Sequence, residues 1–219
     1  MENKPNKTRI HTQYKLENSQ RVPSVTTVLG ILAKPALLEW AWKCGVDGLD
    51  YKAVRDQAGG IGTLVHYLIM CDLKGEKPDT SEYSAQDIEK AETCLIKFWD
   101  WNKEHTLEPI MIETPLVSEV YRYGGTLDFF GIVNNELALV DFKTGKAIYP
   151  EHIYQVAAYR QLLLEKGHEV SHAQILRIGR NEDEGFEEQV ITGFANAWEL
   201  FLHCLAIYEL QKEIRKGGT

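Results

Sequence analysis

Two neighbouring stretches decide how this chain is read: Tyr123-Gly124-Gly125-Thr126-Leu127-Asp128-Phe129-Phe130-Gly131-Ile132-Val133, and Leu139-Val140-Asp141-Phe142-Lys143-Thr144-Gly145. Both are rich in β-branched and aromatic residues, and Asn134-Asn135 lies between the segments they belong to, so they read as a β-hairpin over 125–133 and 136–143. An aspartate inside apolar strand sequence is costly unless something compensates its charge. Here two occur, each six residues from the turn, so the hairpin brings Asp128 and Asp141 together. Paired carboxylates repel, and a hard divalent cation with oxygen ligands relieves them. Lys143 follows Asp141 by two residues and leaves the strand on the same face. An ammonium there can stabilise charge developing on a phosphoryl group or position a water. Taken alone, Asp-x-Lys at a strand end is a surface ion pair in most proteins.

Outward from the hairpin the period changes. Residues 110–120 read as a further strand. Upstream, Ser24 caps a helix through Val25, Val28, Leu29 and Leu32, and a second helix runs over 36–44 after Pro35. Residues 50–56 continue a helical layer. Gly59, Gly60 and Gly62 are expected to break it before an apolar helix over 63–70. A loop over 74–80 leads to a long helix over 84–103, capped by Ser84, with Ile88, Ala91, Leu95, Phe98 and Trp99 on its inner face. Downstream, a helix over 151–166 follows Pro150 and ends at Gly167. Strands over 172–178 and 186–191 and a helix over 195–216 complete the chain. This order gives an α/β fold with a central mixed β-sheet flanked by helices. Without repeat or linker, the expected organisation is an N-terminal arm (1–22, irregular or a short hairpin) and one domain (23–219). Its helical layer spans 23–105 and its sheet and helices 106–219.

Composition sets bounds. With 219 residues, 44% hydrophobic and 26% charged, the chain can bury a substantial core. No apolar run is long enough to cross a membrane, and the polar start lacks the core of a signal peptide, so an intracellular, cytoplasmic protein is expected. Cys44, Cys71, Cys94 and Cys204 form no Cys-x-x-Cys pair and read as buried apolar residues. The net charge of −8 argues against tight non-specific nucleic-acid binding. It leaves room for a local basic groove, and Lys4, Lys7, Arg9, Lys15 and Arg21 cluster near the N-terminus. Gly59-Gly60-Ile61-Gly62 lacks the Gly-Lys-Ser/Thr ending of a phosphate loop. His11, His105, His152, His168, His172 and His203 show no paired ligand spacing. Trp99 and Trp101 could stack on bases, although packing is the simpler account of Trp99.

Gly-Gly-Thr-Leu-Asp at 124–128, Asp-Phe-Lys at 141–143 and Gln155-Val-Ala-Ala-Tyr159 occur in an order that resembles the PD-(D/E)XK nucleases of the RecB-like branch. Upstream, Gly62-Thr63-Leu64-Val65-His66 is similar to that branch's helical Gly-Thr-x-x-His element. Pro23-Ser24-Val25-Thr26-Thr27-Val28-Leu29 resembles the opening of phage-type members and mitochondrial genome maintenance exonucleases. The resemblance spans residues 23–159 and implies a restriction-endonuclease-like core. It implies that Asp128, Asp141, His66 and the backbone carbonyl of Phe142 hold Mg2+ or Mn2+. Lys143, Gln155 and Tyr159 would act beside them, the last two sharing a helix face at i and i+4. A strand glutamate of the family falls on Glu113 or Glu119; Glu113 fits better, outside the ligand set. Some relatives carry an iron–sulfur cluster on C-terminal cysteines. Cys204 stands alone there, so no cluster is expected.

The implied activity is metal-dependent hydrolysis of DNA in replication, recombination or repair, most simply by an exonuclease on single-stranded or end-bearing DNA. Alternatives are a structure-specific endonuclease on the same fold, or a non-catalytic protein that binds DNA or a recombination or replication partner.

Overall fold

The computed structural model describes residues 12–217. The basic cluster's Lys4, Lys7 and Arg9, and His11, lie outside the described residues.

The sheet has five strands: β3 (Leu107–Val117), β4 (Gly124–Val133), β5 (Glu136–Lys143), β6 (His172–Ile178) and β7 (Phe186–Ile191). They lie in sequence order, all neighbours antiparallel except β5 and β6, which are parallel. The parallel step is possible because helix α5 (Pro150–Glu165) crosses over between them. Asn134 and Asn135 both adopt positive φ, 50° and 70°, as the tight turn between β4 and β5 requires.

Helices cover both faces. On one, α1 (Val25–Leu29), α5 and α6 (Ala195–Arg215) pack against Leu127, Phe130, Leu139, Ala173 and Ile175. On the other, α3 (Tyr51–Lys74) and α4 (Ala85–Asn102) pack against Phe129, Val133, Ala138, Val140, Phe142 and Leu176. Alternate residues of β5 divide between the two cores, as the strand period demands. The expected α/β architecture, a mixed central sheet flanked by helices, is the one observed. All four cysteines are buried and unbridged. Among the described residues no helix is long and apolar enough to cross a membrane.

Two local expectations are corrected. Gly59, Gly60 and Gly62 do not interrupt the helical layer: α3 runs unbroken through them for 24 residues. Its C-terminal half is anchored by Leu64, Val65, Leu68 and Ile69, all buried, and that packing outweighs a glycine penalty of about 1 kcal/mol per site. Trp99, expected on the inner face of its helix, lies outside it. Trp99 is 40% exposed, while Trp101 is buried and donates its indole N–H to Glu188 on β7. Of the two forms expected for the arm, its described end takes the hairpin: β1 (Tyr14–Lys15) pairs with β2 (Arg21–Val22) and leans on β3 and β4. The remaining helix, α2 (Pro35–Val46), starts at Pro35 and touches the fold mainly through α3.

Candidate active site

The hairpin pairing of β4 and β5 runs from Val133↔Glu136 to Phe129↔Val140 and stops. Asp128 and Asp141 are the next residues on each strand. Beyond them the two strands no longer pair with each other: within the sheet β4 continues on β3, and β5 on β6. The strands split at the two aspartates, and Asp128 closes part of the gap: its Oδ2 accepts the backbone N–H of Phe142 at 2.8 Å.

The side-chain alternation of β4 slips at the same residue. Leu127 and Phe130 pack on the α5 side, whereas Phe129 and Val133 pack on the α3 side. Across the ladder Glu113 lies between the paired residues Ile112↔Phe129 and Thr114↔Leu127 and has φ +48°. That conformation costs a non-glycine residue about 1–3 kcal/mol. The distortion has a consequence: Glu113 and Asp128 both meet α3 at His66. His66 Nδ1 is 3.3 Å from Asp128 Oδ1 and 3.5 Å from Glu113 Oε1. These three offer one ligand atom each within 4.8 Å of one another, and could hold a metal ion.

Asp141 and Lys143 project to the other side of the split, toward α5. Lys143 Nζ is 2.5 Å from Asp141 Oδ2. Asp141 is 1% exposed, and its Oδ1 has no hydrogen-bond partner among the described residues. A buried carboxylate oxygen left in this way needs a cation or a proton. Without a cation the proton wins ground: burial, reinforced by Asp128 and only partly offset by Lys143, raises the Asp141 pKa to about 6. Burial also opposes ionisation of Asp128, but His66, Lys143 and the Phe142 N–H outweigh it, so its carboxyl is lowered. For His66 burial opposes the charged ring, and Asp128 and Glu113 overcome it and raise it well above its ordinary value. The histidine proton thus stands where a cation would sit between the same carboxylates. Mixed nitrogen and carboxylate donors, with an orphaned carboxylate oxygen beside them, fit a divalent cation.

Helix α5 lines the α5 side of the split. Gln155 Nε2 donates to the Tyr159 hydroxyl at 2.8 Å, one turn apart. Burial, with the charges of Asp141 and Asp128, pushes the phenol well above its ordinary pKa, so it stays protonated. The Gly-Gly pair has a steric explanation. A Cβ on Gly125 would lie 2.4 Å from the Tyr159 ring, and one on Gly124 would lie 2.5 Å from the ring of Tyr14. Near Lys143, His152 accepts the Tyr149 N–H through Nδ1. Burial and the Lys143 ammonium lower its pKa to about 4.

The sequence-derived residues therefore gather in one place: His66, Asp128, Asp141, Lys143, Gln155 and Tyr159. Glu113, expected outside the ligand set, shares the candidate metal cluster itself. Glu119, its rival, instead accepts the backbone N–H of Glu17 at 2.8 Å and holds the hairpin. Phe142 is buried with its N–H on Asp128. Tyr14 was missed altogether. Its signal, an aromatic residue in a polar arm, points nowhere without the contact to Gly124.

No family model matches the chain, and no curated protein matches it. Among solved structures, a candidate exonuclease from Eubacterium rectale superposes with a TM-score of 0.50 at 10% identity, covering 73% of this chain and 69% of that one. The alkaline exonuclease LHK-Exo of Laribacter hongkongensis, solved with dAMP, gives 0.39 at 15% identity, covering 69% of this chain and 80% of that one. The first likeness extends over most of both chains and shows a shared fold.

Proposed function

We propose that this chain is a metal-dependent DNA nuclease of the PD-(D/E)XK type, RecB-like branch, acting as an exonuclease on single-stranded or end-bearing DNA. The observation that carries the reading is the convergence of His66, Glu113 and Asp128 beside the Asp141–Lys143 pair, whose buried carboxylate keeps one orphaned oxygen. In this reading Asp128, Asp141, His66 and the Phe142 carbonyl hold Mg2+ or Mn2+, and Glu113 joins them. A divalent cation bound there would supply charge neutralisation at the phosphate and acidify water. Lys143, oriented by its ion pair with Asp141, holds the attacking water or the developing negative charge on the phosphate. Tyr159 offers its phenol, oriented by the Gln155 amide, to a substrate oxygen. The low dielectric around these groups strengthens each interaction.

DNA is the proposed substrate and partner, with a recombination or replication protein as a further one. In this proposal residues 23–219 act as one unit, the helical layer supplying His66 and the sheet the carboxylates and Lys143.

The test is digestion of end-labelled linear and circular single-stranded DNA with magnesium, manganese or chelator. Wild type should degrade the linear strand only, and only with metal, and Lys143→Ala should lose at least about 100-fold in rate, the scale of one transition-state electrostatic contact. Cutting of the circle would move the assignment to an endonuclease. Binding without cutting under any metal would leave a DNA-binding protein and end the catalytic reading.

A further inference from the structure

The N-terminal hairpin reaches the site through one residue. Tyr14, on β1, lays its ring where a Cβ of Gly124 would be, and its phenol oxygen is 2.8 Å from Thr126 Oγ1. Thr126 is two residues before Asp128 on β4, and the phenol lies within electrostatic range of both Glu113 and Tyr159. The hairpin is fastened there by independent contacts: Gly124 donates its N–H to the Pro23 carbonyl at 2.9 Å, and Glu17 N–H to Glu119.

The ring has a structural task, packing on Gly124. The hydroxyl also ties the hairpin to β4, through Thr126 Oγ1 and the Thr126 backbone. Tyr14 and Thr126 each carry one O–H proton, and the bond between them consumes one. The other finds no acceptor among the described residues, although Tyr14 and Thr126 are both only partly buried at the mouth of the site. Burial raises the Tyr14 pKa, so the donor is present throughout the neutral range. A donor fixed beside a cluster of carboxylates suits an anionic oxygen that the carboxylates themselves cannot hold.

We propose that the Tyr14–Thr126 hydroxyl pair is a substrate-binding element that donates a hydrogen bond to a non-bridging phosphate oxygen of the DNA strand next to the cut linkage. It rests on the nuclease reading, and adds to Lys143 a second contact with the substrate. The N-terminal hairpin is therefore a wall of the site.

The experiment compares wild type, Tyr14→Phe, Thr126→Val and Thr126→Ser in three measurements. These are thermal stability, affinity for a fluorescent single-stranded oligonucleotide with non-cleaving calcium, and cleavage kinetics with manganese. A hydrogen bond to a charged oxygen corresponds to about 10- to 100-fold in affinity. Tyr14→Phe should stay folded, with a melting temperature no lower than that of Thr126→Val, weaken binding by that factor and raise KM. Thr126→Val should behave alike, and Thr126→Ser should restore binding. Oligonucleotides with a single methylphosphonate at successive linkages should locate the contact: one position weakens wild type but adds nothing to the Tyr14→Phe defect. Wild-type binding and KM in Tyr14→Phe would overturn the proposal and leave the ring as a structural prop. Lack of cleavage by wild type itself would remove the nuclease reading, and this one with it.

Discussion

At the scale of single residues, the candidate site is built from charges whose burial is costly without a partner. Asp141 is the clearest case. It is enclosed, and one of its oxygens is unpartnered. Its ionised form destabilises the metal-free fold, since a carboxyl whose folded pKa is raised loses stability as pH rises through about 6. Asp141→Asn should therefore raise the melting temperature of the chelator-treated protein at pH 8 while removing cleavage. Divalent metal should stabilise wild type more than the variant, because a ligand stabilises only the state that binds it. Calorimetry with and without chelator reads both effects; a lower melting point for the metal-free variant would show that the Lys143 ion pair outweighs the cost of burial. His152 carries the opposite sign. As a base lowered to about 4, it is neutral in the fold but takes up a proton near 6.5 when unfolded. Stability from this residue is present above 6.5 and is lost as pH falls toward 4. The fall in melting temperature between pH 7 and pH 4.5 should be smaller in His152→Gln, whose amide can still accept the Tyr149 N–H.

At the scale of elements, α3 is a helix that its own sequence argues against. Gly59 and Gly60 are exposed, and a Cβ on either would meet nothing within 4 Å. Gly62 differs: its Cβ would sit 2.9 Å from Thr144 Oγ1, at the end of β5. That close approach fits the helix against the strand carrying Lys143, one turn before His66. Replacing Gly59 or Gly60 by alanine should stabilise the protein by about 0.5–1 kcal/mol in urea unfolding, the ordinary helix-interior difference. Gly62→Ala should gain less or lose stability. Equal gains at all three positions would mean the approach to Thr144 is slack. The strand elements show the reverse relation. β4 and β5 have strong strand sequence throughout, yet their mutual pairing ends at the aspartates, where the ladder gives way to a side-chain hydrogen bond.

At the scale of the whole molecule, two helical layers enclose one sheet, and the split between β4 and β5 is reached from both. His66 comes from the α3 layer, Tyr159 and Gln155 from α5, and Tyr14 from the hairpin at the edge. The acidic net charge of −8 is consistent with weak attraction of DNA in the absence of a divalent cation.

The sequence by itself determined the elements and their order. Hydrophobic period, caps and the Asn-Asn turn depend on neighbours a few residues apart, so the strands over 172–178 and 186–191 and the hairpin could be read locally. The convergence of Asp128 with Asp141 was legible for the same reason: equal distances from a two-residue turn set their register. Helical spacing put Gln155 and Tyr159 on one face, but only the family resemblance marked that face as part of a site. Only the tertiary structure decided the rest. The uninterrupted α3 depends on burial of its distant half against the sheet, which outweighs local glycine preference. Glu113 joins His66 and Asp128 because one strand slips in its alternation and the facing residue takes a left-handed conformation, a strain that only the surrounding packing can hold. Tyr14 meets Gly124 across 110 residues of chain, a contact that no local pattern encodes.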